Sequence, residues 1–392
     1  MTLSRRAFLT SPARTSGRRE VLVYLFQRGA ADGLNTVVPF ADPHYASLRP
    51  RIAVSPPGSE DGAIDLDGFF GLHPAASAAL PLFQAGRLAW LPASGIPHQS
   101  RSHFEAQDRS ERGITDSDQA SSGWLARHLQ ATATAQDSPL RAVSISGSVP
   151  TSLTGADDPL AIQELSSFGL GAAGGSTYQD TLALLYAPPR PFAEVAGSAL
   201  TAIDLLAEAD PAQFAPNPGA RYPDSELGGK LLQAAQLIKA DLGVEVLCLD
   251  VGGWDHHENL PNFLPAALTD LCEGLAAFDT DLGAAMEGVT VIVQTEFGRR
   301  AAENGARGTD HGTAGLLWVL GGSVMGGRIV GAWPGLAPDQ LAAGEDLAIT
   351  VDTRDVLAEF LVRRRGHRDA LADVFPGHAP GPEPGLFRMT GG

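Results

Sequence analysis

The chain has 392 residues, 44% hydrophobic and 19% charged, with 45 acidic against 28 basic residues and a formal net charge of −17. That length and composition allow a large apolar core. So acidic a chain argues against nucleic acid and anionic membrane as partners, since both need basic patches, and no apolar run reaches the ~20 residues of a membrane helix. Metal cations are the natural small partners of such a surface. The two cysteines, Cys248 and Cys272, lie in apolar strand-like and helix-like runs. They read as buried, inert thiols rather than a disulfide framework.

Residues 1–19 contain Ser4-Arg5-Arg6-Ala7-Phe8-Leu9, the pattern of a twin-arginine export signal. A working signal continues into an apolar stretch of about 7–15 residues. Here Thr10 to Gly17 is polar and charged, so the leader reads as degenerate and disordered. The compartment stays open between export to the periplasm and retention in the cytoplasm.

Glu20 to Gln27 (EVLVYLFQ) is apolar on both faces, the mark of a buried strand in a parallel sheet. Gly29 and Gly33 then permit a sharp turn carrying Asp32 and Asn35 at the strand's carboxyl end. Asp32-Gly33 is either a ligand-bearing loop or simply a turn pair. Residues 42–73 are rich in Pro and Gly, and Pro74 to Gln84 predicts a helix. Arg87 to Pro92 is a second core strand, followed by Arg101-Ser102-His103-Phe104-Glu105. Ser102 and Glu105 fit a helix capping box. Alternatively, the Ser102 hydroxyl sits in the positive potential of a helix start, suited to a nucleophile or to anion binding.

Ser122 to Gln130 reads as a helix and Leu140 to Ser146 as a strand. From 147 to 222 prolines and glycines multiply around helical pieces at about 159–168, 177–186 and 191–208. This segment reads as a cap-like insertion or as surface decoration. Ser225 to Asp241 is an amphipathic helix, and Val244 to Leu249 is a strand ending at Asp250-Val251-Gly252-Gly253-Trp254-Asp255-His256-His257-Glu258. Asp and His suit zinc or manganese better than calcium. Asn262 to Met286 is a long helix with a leucine stripe that is core.

Val289 to Thr295 is another strand apolar on both faces, ending at Glu296. A Gly-broken loop then returns Asp310-His311. Open α/β sheets bind ligands beyond the carboxyl ends of their strands, so this stretch and 250–258 read as two halves of a metal site, although Asp255-His256-His257 taken alone also reads as a surface loop. Arg299-Arg300 is either solvated or an anion clamp. Gly315 to Gly321 is a further strand, Gly327 to Gly331 an edge strand, Thr353 to Arg364 the closing helix, and 375–392 a loosely held tail. The expected organisation is one α/β domain over 20–374, with a mostly parallel central sheet and helices on both faces.

The stretches RGAADGLNTVVP (28–39), LDGFFGLHP (66–74), RSHFEAQD (101–108), GGWDHHE (252–258), TEFGRRAAENGARGTDHG (295–312) and GAWPGL (331–336) resemble the bacterial family called domain of unknown function 1501. That family is grouped with the alkaline-phosphatase-like (sulfatase-like) superfamily. The resemblance implies that fold, one or two divalent ions (zinc or manganese), and hydrolysis of a phosphate or sulfate ester. It implies metal ligands at Asp32, Asp255, His257 or His256, Glu296, Asp310 and His311. It places the nucleophile at Ser102, a general acid at His103, and charge-holding arginines at Arg101 and Arg299. Phe297 stands where the superfamily has a metal-binding His, a place that Asp310 or His103 would have to fill. The family also implies a partner from domain of unknown function 1800. A non-catalytic binding protein of the same fold is the alternative.

Overall fold

A computed structural model of the chain describes residues 20–98, 100–116, 119–135, 137–169, 175–188 and 192–389. The leader expected over 1–19 lies outside these, as does part of the glycine run at 169–176.

The core is a nine-stranded sheet. Its strands are β1 (Val21–Gln27), β2 (Leu88–Gly95), β3 (Ala142–Ser144), β4 (Leu160–Ala161) and β5 (Val246–Val251). They continue with β6 (Val289–Thr295), β7 (Gly315–Gly321), β8 (Arg328–Ile329) and β9 (Val351–Asp352). The order across the sheet is β8-β2-β7-β6-β1-β5-β3-β4, with β9 beside β2. Among the described strands of this sheet β7 alone runs against the rest. The fold is thus the mostly parallel α/β architecture expected.

The strands read as apolar throughout because both faces are covered. Val21, Val23 and Leu25 of β1 face one side, with α3 (Glu226–Ala240) and α4 (Leu260–Leu282) packed there. Leu22, Tyr24 and Phe26 face the other, against α2 (Trp124–Ala131) and α5 (Thr353–Arg365). Each such buried Leu, Val or Phe contributes about 1.5–3 kcal/mol relative to exposure. Both cysteines are free and buried, and burial pushes both thiols up.

Several elements differ from expectation. Pro74–Ala79 is a 3-10 helix followed by a short α-helix, Leu80–Gln84. Residues 159–168, expected helical, hold strand β4 and a 3-10 turn at Leu165–Ser167, because pairing with β3 at the sheet edge outweighs local preference. The long helix ends at Leu282, and Gly283–Gly288 tightens to 3-10.

The C-terminal segment is packed rather than loose. Phe375, Leu386 and Phe387 are buried, and Glu359 of α5 accepts the amides of Gly385, Leu386 and Phe387. An amide buried without its partner costs about 1–3 kcal/mol. Glu359→Ala is therefore expected to release this segment, seen as faster tryptic cleavage at Arg388. Unchanged cleavage would show that apolar packing alone holds it.

Candidate metal centre

Four loops meet beyond the carboxyl ends of the parallel strands. Gln27 pairs with both Val251 and Thr295, so β1, β5 and β6 end level. The residues that follow emerge side by side. Gly29, at φ 120°, lies against the loop after β5, where a Cβ would come within 2.6 Å of the Asp255 amide. A Cβ at Gly308 would stand 2.2 Å from the His257 carbonyl. These two glycines let the loops of β1 and β6 clasp the loop of β5 between them. The fourth contributor is α1 (His103–Arg112), which follows β2.

Asp255 is the hub. Its Oδ1 accepts from Arg299 Nη2 at 2.5 Å and lies 3.1 Å from His257 Nε2 and 3.3 Å from His311 Nε2. Its Oδ2 lies 3.5 Å from His103 Nε2. His257 Nε2 and His311 Nε2 are 2.8 Å apart. Burial pushes the Asp255 carboxyl up, but Arg299 and the histidines outweigh it and hold the group below the usual carboxylate range. Burial, with Arg299 and His103 adding, pushes His311 below the usual imidazole range.

The tautomers follow from the outer contacts. Glu296 Oε1 accepts from the Gly29 amide at 2.9 Å and from Gln107 Nε2 at 2.9 Å, and lies 2.7 Å from His103 Nδ1. Burial raises Glu296, yet the bonds from Gln107, His103 and backbone amides hold it below its usual range, so it is ionised and only accepts. His103 Nδ1 is therefore the donor to Glu296, and in the neutral ring Nε2 presents a lone pair. That Nε2 is shielded from water and makes no hydrogen bond. His311 Nδ1 donates to the Arg101 carbonyl at 2.8 Å, so its Nε2 also presents a lone pair.

Two imidazole nitrogens and a carboxylate thus converge, a donor set that suits a cation alongside the Arg299 guanidinium already on Asp255 Oδ1. His103, Asp255 and His311 each offer a ligand atom within 4.8 Å of the others. Around a tetrahedral zinc with bonds of ~2.0–2.2 Å, ligand atoms stand about 3.4 Å apart. The 3.3 Å from His311 Nε2 to Asp255 Oδ1 and the 3.5 Å from His103 Nε2 to Asp255 Oδ2 are of that size, each to a different carboxylate oxygen. Imidazole nitrogen with one carboxylate suits zinc or manganese. Carboxylate-held and carbonyl-held imidazoles are the usual outer support of such ligands.

The family described as "Protein of unknown function (DUF1501)" matches residues 89–375, a span that contains the whole triad. The chain belongs to the DUF1501 family. No curated protein matches it. Among solved structures, the PH0037 protein from Pyrococcus horikoshii is similar over 78% of this chain and 86% of its own, at 12% identity and a TM-score of 0.27.

In this DUF1501 protein the expected site residues separate into two sets. His103, Asp255, His257, Asp310 and His311 come together, with Asp310 Oδ1 3.4 Å from His257 Nδ1 and held by Asn304 at 3.0 Å. The others are turned to different work. Asp32 is buried, accepts the Asn35 amide as a turn residue does, and pairs with Arg49. Glu296 supports His103 instead of joining the triad. His256 is buried with its ring stacked on Phe263.

Arg299, expected to hold substrate charge, is buried and donates to the Ala30, Thr309 and Gly29 carbonyls as well as Asp255, so it ties these loops together. The Arg101 guanidinium pairs with Asp346 at 2.6 Å. Ser102 is exposed at the N-cap of α1, with no side-chain capping bond. Its amide donates to Ser100 Oγ, which in turn donates to Glu105, so the expected capping box does not form.

Phe297 has a place of its own, its ring 5.1 Å from that of His103 and 5.0 Å from that of His311. Sequence reasoning missed Gln107, Asn304 and Arg49. Gln107 had a signal, since four residues after His103 on a helix puts both on one face. Asn304 and Arg49 act through loop contacts that leave no periodic trace.

Glu296→Gln removes the charge that fixes the His103 tautomer. It is expected to weaken metal binding about 10–100-fold with the fold retained. Titration with zinc in a competing chelator checks this, and unchanged affinity would sever Glu296 from the site.

Proposed function

We propose that this DUF1501 protein holds a divalent cation between His103, Asp255 and His311 and hydrolyses an anionic phosphate or sulfate ester there. We read its fold as alkaline-phosphatase-like, without the cap expected over 147–222, whose described residues Ser198 and Thr201 lie beside Asp137 and Ala142 at the amino end of β3, away from the triad. The observation that carries the proposal is the convergence of His103 Nε2, His311 Nε2 and an Asp255 carboxylate oxygen within 4.8 Å of one another, with each side chain held by its own outer partner. An ion bound there would neutralise ester oxygens and lower the pKa of an attacking hydroxyl. The chain's residues do the rest. Glu296 and the Arg101 carbonyl orient the two imidazoles. His257, steadied through Nδ1 by Asp310 and half-exposed, is placed to hand a proton to the leaving oxygen. Ser102, at the start of α1, or a water is the nucleophile.

One observation favours the second reading, a metal-holding protein without turnover. The two arginines expected to hold substrate charge, Arg101 and Arg299, are both engaged by the protein.

Elemental analysis of protein purified without chelator or nickel resin separates these readings. Near-stoichiometric zinc, manganese or iron is expected, and His103→Ala and His311→Ala are expected to lose it. Turnover of aryl phosphate or sulfate esters by the loaded wild type supports hydrolysis, and metal without turnover supports the second reading. A folded protein that takes up none of these ions on add-back sinks both.

A further inference from the structure

Asp346 lies outside the metal centre, is 2% exposed, and touches both of the chain segments that deliver its imidazoles. Its Oδ2 accepts from Arg101 Nη2 at 2.6 Å and from Thr313 Oγ1 at 2.6 Å. Arg101 stands two residues before His103, and Thr313 two residues after His311. The Arg101 main chain then crosses back, its carbonyl accepting from His311 Nδ1 at 2.8 Å. One carboxylate oxygen therefore clamps the stretch that opens α1 to the stretch that carries His311. The bond that fixes the His311 tautomer runs across the same clamp.

The clamp has a firm base. The Asp346 amide and carbonyl both bond to Ala342, and its main chain bridges to Arg300. On either side of it, the Glu345 and Leu347 carbonyls accept the amides of Ala301 and Ala314, in the loop after β6. Glu345 itself reaches Arg101 only at 3.6 Å and pairs with Arg300 at 2.8 Å, so the close bond to Arg101 belongs to Asp346. The second oxygen, Asp346 Oδ1, is buried with no hydrogen-bond partner. A buried polar atom left unpaired calls for a reason beyond fold stability. Holding Arg101 supplies one, because a ligand imidazole depends on the group that orients its other nitrogen.

We propose that Asp346 is a positioning residue of the metal centre. Through Arg101 it holds the carbonyl that keeps the proton of His311 on Nδ1 and its Nε2 toward Asp255, and it keeps the His103 and His311 segments in register. Its effect on metal affinity rests on the metal-holding reading above, whereas its effect on the His311 ring rests on these hydrogen bonds alone.

The test uses the full chain, labelled with 15N-histidine, as wild type, Asp346→Ala, Asp346→Asn, Arg101→Leu, the Asp346→Ala/Arg101→Leu double variant and the exposed control Glu345→Ala. Thermal melts confirm folding. Imidazole 15N spectra of the metal-free proteins read the His311 tautomer, with its signals identified by their loss in His311→Ala, and chelator competition reads zinc affinity. Wild type and Glu345→Ala are expected to show a single tautomer with the proton on Nδ1. Asp346→Ala and Arg101→Leu are expected to show a mixture and to bind zinc about tenfold more weakly. Asp346→Asn, which keeps an acceptor, is expected to fall between. The double variant is expected to lose less than the product of the two single losses, since both break one bond.

An unchanged His311 tautomer in folded Asp346→Ala overturns the proposal. So does a loss from Asp346→Ala that is as large in the Arg101→Leu background as in wild type, or one that Glu345→Ala reproduces. Should Asp346→Ala not fold, Arg101→Leu decides the matter from the other end of the same bond. A wild type that takes up no zinc overturns the metal reading alone, and the spectra of the metal-free proteins still support or overturn the role of Asp346.

Discussion

Arg49→Met is expected to remove about 3–5 kcal/mol of stability, the cost of stripping one partner from a buried ion pair. Arg49 and Asp32 are both fully buried. Arg49 Nη1 donates to Asp32 Oδ1 at 2.8 Å, to Asp32 Oδ2 at 2.9 Å and to Asn35 at 2.8 Å, while Nε and Nη2 hold the Ala301 and Arg300 carbonyls at 2.9 Å. One side chain thus ties the loop after β1 to the loop after β6. Without it, Asp32 keeps only the Asn35 amide and the Thr309 hydroxyl.

Against a total stability of ~5–15 kcal/mol, the loss is large. Urea unfolding should show a midpoint shift at unchanged slope. Arg49→Met/Asp32→Asn should recover part of the loss, because the stranded charge is gone. The same pair separates two roles for Asp32. If it were a metal ligand in solution, Asp32→Asn in the Arg49→Met background would lower metal content and restore no stability. A loss below about 1 kcal/mol for Arg49→Met would show that the pair organises little.

Acid is expected to destabilise the protein from about pH 6.5 downward. Burial pushes His73 and His98 down to about 4, and His128 well below its ordinary value. These imidazoles are neutral when folded and take up a proton near pH 6.5 once unfolded. The unfolded chain then binds more protons, so stability is complete above that pH and falls as pH drops toward 4.

His128 is the clearest case. It is 1% exposed, neither ring nitrogen has a hydrogen-bond partner, and Arg365, His367 and Arg141 face it. Protonating it in place would set a third positive charge beside Arg365 and Arg141, with Glu245 as the near counter-charge. His128→Leu gives up no hydrogen bond. Between pH 6.5 and 5 it should be spared about 2 kcal/mol of the acid loss seen in wild type, at ~1.4 kcal/mol per unit. Parallel stability–pH curves for the two proteins would contradict this.

Much of the fold was legible because a doubly covered parallel sheet writes itself as unbroken apolar runs. Val21–Gln27, Val289–Thr295 and Gly315–Gly321 stood out for that reason. The short strand Leu160–Ala161 did not, since two residues carry no periodicity and only the edge of β3 makes them a strand. The packed C-terminal segment was equally hidden: its Pro- and Gly-rich text reads as loose, and Glu359 lies 26 residues or more away from the amides it holds.

At the site, the sequence by itself determined the chemical inventory and its address: Asp255, His257, Asp310 and His311 follow strands, and His103 opens a helix after one. Only the tertiary structure decided the division of labour among them. Asp32 and Glu296 are the same kind of residue as Asp255 in text, equally placed after strands. Arg49 and Thr309 occupy the first, and Gln107, His103 and the Gly29 amide occupy the second. Asp255 is held by Arg299 on one oxygen and remains half-exposed to the histidines. A carboxylate's role is set by which donors reach it first, and those donors lie up to 277 residues away in sequence. Such partners leave no local pattern, so chain order names the candidate ligands and packing alone selects among them.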